Sequence, residues 1–201
     1  MFLNKVSAAK VEKLIKTHPG ILYRHMLSAF AQMGQDWRAG MDARFSGGPI
    51  RSRTGKLQRG LRHRVTGSTF KTLKLTMSSG SLPYAAIQEF GGTITPKNAQ
   101  YLTVPLSGVL GGESGKVRLT ARQAIERGAF FFRTGGKLFI ARRKGKGLQL
   151  LFVLKKSVEL KPRLGMREVW ESFSGKRKKL IDRALKSALA DSKRAGGGRT
   201  A

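Results

Sequence analysis

Apolar residues recur at helical spacing through the first 45 residues. Leu3, Val6, Val11, Leu14 and Ile15 share one face, and after "THPG" the pattern resumes with Leu22, Met26, Ala29, Phe30, Met33 and Trp37. Pro19 suits the first turn of a helix, where its missing N–H breaks no bond, with Thr17 or His18 as the entry. The spacing predicts two helices, or one helix broken near Pro19. "FSGGPIRSRTGK" then reads as an exposed basic loop. "KLQRGLRHRV" supplies one more helical turn. "HRVT" and "FKTLKLTM", where Phe70, Leu73, Leu75 and Met77 alternate imperfectly, form a hairpin across Gly67 and Ser68. "PYAAIQEF" is a short helix ended by Gly91 and Gly92. "YLTVPL" is a strand whose Pro105 belongs at a sheet edge or strand end.

From Gly108 to Gly128 the pattern gives a loop and a short amphipathic helix on Val117, Ala121, Ala124 and Ile125. "AFFF" and "KLFIA" straddle the turn "RTGG", and "GLQLLFVL" follows the basic turn "RRKGKG". These predict consecutive antiparallel strands. Met166, Val169, Trp170, Phe173, Leu180, Ile181, Ala184, Leu185, Ala188 and Leu189 keep one helical phase through Gly175. That predicts one long C-terminal helix with a basic opposite face, and a disordered tail over 193–201. No strand–helix alternation supports a parallel sheet. The expected fold is α+β, a small antiparallel sheet packed by N-terminal helices and a long C-terminal helix. It is read as a single domain over 1–192, with 1–45 as its helical part and 107–127 as an insert.

Charge changes the picture more than composition does. Forty Lys and Arg stand against eleven Asp and Glu in 201 residues, a formal +29. A compact domain with that surplus repels itself, which points to counter-charge from nucleic acid, an acidic membrane surface or an acidic protein, the alternative being a solvated basic surface that serves only solubility. No apolar run is long enough to span a membrane. "MFLNKVSAAKVEK" is too interrupted by charge for a secretory segment. The chain has no cysteine, which removes disulfides, thiolate catalysis and the usual structural zinc sites, and suits a reducing cytoplasm.

Catalytic chemistry finds little support. His18, His25 and His63 show no ligand spacing, and the acids are too scattered to pair. "ESGK" fails as a phosphate loop, because Leu110 and Val117 stand where that loop needs glycine and a hydroxyl. No enzyme activity, metal or cofactor is expected. Arg44 to Gln88 holds no acidic residue, which singles out Glu89, just before the double glycine. Its carboxylate reads as part of a structural corner, accepting backbone amides or pairing with arginine, rather than as a catalytic acid. Three basic clusters remain: "RSRTGKLQRGLRHR", the loop of Arg142, Arg143, Lys144 and Lys146, and "GKRKK" inside the last helix. None carries interleaved aromatics for base stacking. Each is read either as a contact for DNA backbone or an acidic partner without sequence reading, or as a solvated rim or subunit contact.

"RTGKLQRGL" (Arg53 to Leu61), "YAAIQEFGGTITPKNAQYLTVPL" (Tyr84 to Leu106) and "LFVLKKSVELKPRLGM" (Leu151 to Met166) resemble, in that order, the tail-completion or head–tail joining proteins of tailed bacteriophages. Arg53, Thr54, Gly55 and Leu57 match the first motif, and Tyr84, Ala85, Glu89, Phe90 and Gly91 the second. The resemblance implies fold and assembly roles for these positions. It implies a structural protein of the virion neck, made in the host cytoplasm and assembled as a homo-oligomeric ring around the DNA channel. Its neighbours would be the head connector or stopper and the tail terminator or tail-tube proteins, with DNA met non-specifically and no membrane. The segments Ser107 to Arg127 and "RTGGKLFIARRKGKG" depart from the pattern. The alternative from the residues alone is a non-sequence-specific nucleic-acid-binding protein of nucleoid or ribosome-associated type.

Overall fold

The computed structural model describes residues 7–48, 50, 54–111 and 116–197. The fold is α+β, with small antiparallel sheets and a long C-terminal helix. The chain divides into two compact units. One takes Met1–Ile50, Leu57–Leu82 and Gly165–Ala201, the other Arg51–Lys56 and Pro83–Leu164.

In the first unit, α1 (Ala8–Thr17) and α2 (Pro19–Gly47) meet at His18, with Pro19 opening α2 as its spacing predicts. Leu3 and Val6 lie outside the described residues. Along α2, Leu22, Met26, Ala29, Met33, Trp37, Met41 and Phe45 are buried, a stripe at steps of three and four. After α3 (Lys56–Gly60), β1 (Arg62–Thr66) and β2 (Lys74–Ser78) form the expected hairpin, pairing Val65 with Leu75. Tyr23 of α2 donates its hydroxyl to the Gly67 carbonyl at the hairpin turn, 2.8 Å away. His63 of β1 lies so close to α2 that a Cβ at Gly34 would sit 2.4 Å from its ring, so only glycine fits there.

The C-terminal part is two helices, α6 (Met166–Ser172) and α7 (Ser174–Gly197), not one. The helical phase misses the break because apolar periodicity persists on both sides of it. Phe173 leaves helical geometry at φ −108° and ψ 28°. Arg177 then fastens the joint. Its guanidinium lies 3.9 Å over the Trp170 ring and donates to the Trp170 carbonyl and to Glu171. Residues 193–197, assigned to a disordered tail by composition, complete α7. Leu14 of α1, Leu22, Met26, Ala29 and Met33 of α2, and Ala184 and Ala188 of α7 form the core, with Phe70, Leu73 and Leu75 packed on it. Trp37 is fully buried and donates its indole N–H to the Met166 carbonyl at 3.2 Å.

The second unit opens with α4 (Ala85–Phe90) and β3 (Gly92–Ile94), which pairs with β10 (Val158–Leu160). Its main sheet runs β4 (Leu102–Pro105), β9 (Gly147–Lys155), β8 (Lys137–Lys144), β7 (Phe130–Thr134), antiparallel throughout. β4 is an edge strand, where a proline is tolerated. Between β4 and β7 the chain makes a 3₁₀ turn at Ser107–Val109, the two-residue strands β5 (Leu110–Gly111) and β6 (Lys116–Val117), and α5 (Ala121–Glu126). α5 starts at a reciprocal cap, in which the Gln123 amide donates to Thr120 Oγ1 and the Thr120 amide to Gln123 Oε1. Val117, expected on this helix, lies in β6, ahead of the cap. The segment read as an insert contributes Val109 and Ala124 to a core that they share with Ala129, Ile140, Leu151, Phe152 and Leu154.

Candidate functional site

The first motif is a clamp on α2. Arg53 lies outside the described residues. Thr54 Oγ1 accepts the Lys56 amide at 3.5 Å, Gly55 turns at φ 70°, and Leu57 is half-buried in α3. The motif's continuation makes the bonds. Gln58 donates to Asp42 Oδ1 at 3.0 Å, Arg38 donates to both Asp42 oxygens at 2.9 and 3.1 Å, and Arg38 also donates to the Leu61 carbonyl. Burial raises the Asp42 pKa. The hydrogen bonds from Arg38 and Gln58 and the Arg38 charge outweigh that effect and hold it below the ordinary 3.8. Leu61 is buried beside this network.

The second motif is a sharp corner. Tyr84 caps α4, Ala85 is buried, Glu89 is half-buried in the last turn, and Phe90 is 70% exposed. Gly91 leaves the helix at φ 72°, and a Cβ there would lie 2.8 Å from both the Leu160 carbonyl oxygen and Pro162 Cδ. Only glycine meets both demands. The Gln88 carbonyl accepts two amides, those of Arg163 and Leu164, each at 2.8 Å. Glu89 sits next to that junction. Gln88 carries no signal in the sequence, because a backbone carbonyl acts there and β10 and Pro162 arrive from seventy residues away.

The basic clusters divide by what they touch. Arg142 donates to Gln149 across the β8–β9 hairpin at 2.9 Å, while Arg143, Lys144 and Lys146 are exposed at its turn. Within "GKRKK", Lys176 pairs with Asp36 at 2.8 Å and Arg177 closes the α6–α7 joint, whereas Lys178 and Lys179 face solvent.

Apolar exposure is the other conspicuous feature. Among the described residues, Phe90, Phe130, Phe131, Ile125, Val117, Leu148 and Tyr84 are the large apolar side chains left in solvent. An open groove of about 660 Å³ follows the sheet face beside α5, lined chiefly by Tyr101, Ile125, Phe131, Leu138, Ile140 and Leu154. The Arg122–Glu126 pair, 3.1 Å apart, stands in its wall.

The three histidines are dispersed. His18 Nδ1 lies 2.8 Å from the Thr17 hydroxyl, His25 is 2.9 Å from Asp191, and His63 packs on Gly34. Among the described residues no three His, Asp or Glu side chains converge as a metal site would require, and no helix is long and apolar enough to cross a membrane. No protein family, curated protein or solved structure matches the chain.

Proposed function

We propose that this chain is a structural, ring-forming subunit of a phage neck, a head–tail joining or tail-completion protein around the DNA channel. The observation that carries the reading is the second unit's surface. Phe130 and Phe131 stand exposed on β7, an edge strand, with Ile125 beside the groove and β4 as the opposite edge. Free strand edges and exposed aromatics beside an apolar groove are what a protein covers by assembly, and head-to-tail contacts between copies close into rings. The motif residues Thr54, Gly55, Leu57, Tyr84, Ala85, Glu89, Phe90 and Gly91 support it as shape-setting positions. Its partners on this reading are further copies of itself, the connector or stopper ring above, the terminator or tail tube below, and passing DNA. The site of action is the virion.

Disabling the reading frame in its own genome tests this. Filled heads and separate, unjoined tails are expected by electron microscopy. Complete infectious particles would sink the reading. A free, non-sequence-specific nucleic-acid-binding protein is the second reading, favoured by the cations displayed on α7. It expects stoichiometric coating of free duplex and no joining defect.

A further inference from the structure

We propose that the outer face of α7, not the β8–β9 turn, is the surface that meets the DNA phosphate backbone. This rests on the reading above that DNA passes the subunit, and it names the surface that faces it. Lys179, Arg183, Lys186 and Lys193 are all exposed, while Ala184 and Ala188 on the same helix are buried. Steps of four, three and seven keep these four cations on one stripe, opposite the buried alanines. At about 1.5 Å per residue the stripe runs roughly 21 Å along the helix. Ala190, exposed between Lys186 and Lys193, leaves room for a backbone to approach.

Pairing separates this stripe from Lys176, Arg177 and Arg194; Lys178, exposed and likewise outside any ion pair, lies off the stripe by its helical angle. Lys176, Arg177 and Arg194 are engaged by Asp36, Glu171 and Asp191. Among the described residues, no carboxylate lies within 4.0 Å of Lys179, Arg183, Lys186 or Lys193. Asp191 is held by His25 at 2.9 Å, away from the stripe. Asp182 borders it and offsets one charge. His25–Asp191 and Lys176–Asp36 tie α7 to α2 at both ends, and the core packs between them. The β8–β9 turn instead offers its cations at a hairpin tip, with Arg142 drawn back to Gln149. No aromatic side chain lies on the stripe, so it reads charge and not bases, which leaves DNA free to slide.

The occupant is duplex DNA, and the test compares two variants of the full chain with equal charge loss. One carries Lys179→Gln, Arg183→Gln, Lys186→Gln and Lys193→Gln. The other carries Arg142→Gln, Arg143→Gln, Lys144→Gln and Lys146→Gln. Binding to a random-sequence duplex is followed by fluorescence anisotropy from 50 to 200 mM salt. At about 0.9 counterions released per neutralised phosphate, the α7 variant loses about 3.6 from the slope of log K against log salt, and the turn variant less than about 1. Equal losses would mean general charge only and overturn the proposal. A larger loss in the turn variant overturns it in favour of the hairpin. An unchanged DNA slope with lost binding to phosphatidylserine vesicles reassigns the stripe to a lipid surface. Circular dichroism melting checks the fold, and the smaller Lys186→Gln/Lys193→Gln variant, with about half the slope loss, serves if the fourfold one unfolds. Joining of heads to tails is scored separately, so a failed slope with intact joining removes this inference and leaves the assembly reading standing.

Discussion

The two units treat their surfaces in opposite ways. The first closes a core around Leu22, Met26 and Ala188 and is stitched by polar side-chain pairs between distant segments, such as His25–Asp191, Lys176–Asp36 and Arg44–Glu168. The second holds its core in a local meander, and among the described residues the exposed large apolar side chains, Tyr84, Phe90, Val117, Ile125, Phe130, Phe131 and Leu148, all belong to it. Polar stitching holds a unit's own segments together, whereas an exposed apolar patch marks a surface suited to contact. On the proposed assembly reading, the second unit is the one that makes the contacts.

The comparison breaks hardest at Trp37. Trp37→Ala removes a fully buried indole and its bond to Met166, and about 3–5 kcal/mol of stability should go with it in urea unfolding. Gly91→Ala comes next. The positive φ and the Leu160 carbonyl 2.8 Å from the new Cβ should cost about 2–3 kcal/mol, seen as early melting confined to the second unit in hydrogen exchange. Asp42→Asn is smaller, about 1 kcal/mol, since the side chain is 40% exposed and solvent screens the pair. Its pH dependence has a definite sign. The folded-state pKa is lowered, so the carboxylate's contribution is complete above 3.8 and is lost as pH falls through the lower folded value. The gap between wild type and variant should therefore hold at pH 6 and close below pH 3.8. Phe131→Ser should change stability least, by within about 0.5 kcal/mol, yet abolish self-association measured by light scattering at high salt. A Phe131→Ser variant that assembles as well as wild type would remove the contrast between the units.

Much of the fold is legible in the sequence because its signals are local. Pro19 marks the start of α2, the alternation at Leu73, Leu75 and Met77 marks a strand, and Gly135–Gly136 marks the β7–β8 turn. Pro105 places β4 at an edge. The rest is set by contacts between distant residues. Gly175, two residues past Phe173, is the one local hint of the break between α6 and α7, and the apolar phase that continues across it masks that hint. The strand β10 is three residues long and exists through β3. The division into two units is likewise hidden, since the first is assembled from three separate stretches. At the candidate site, Gly91 is readable as a turn glycine, while the Gln88 carbonyl that anchors the corner is not. Charge clusters are visible in any sequence. Which cations are already engaged, as Arg177 and Lys176 are, becomes visible only when their partners are placed.

The discontinuity of the first unit has a consequence for biosynthesis. Leu22, Met26 and Met33 leave the ribosome early, but Ala184 and Ala188, which complete their core, come more than a hundred and fifty residues later. The sheet of the second unit, contiguous from Phe130 to Lys155 apart from β4, can pair as it emerges. Translation thus finishes the half with the outward aromatics first and leaves the amphipathic α2 waiting for the last helix. A nascent chain stalled before α7 should hold a protected meander and a protease-sensitive N-terminal third.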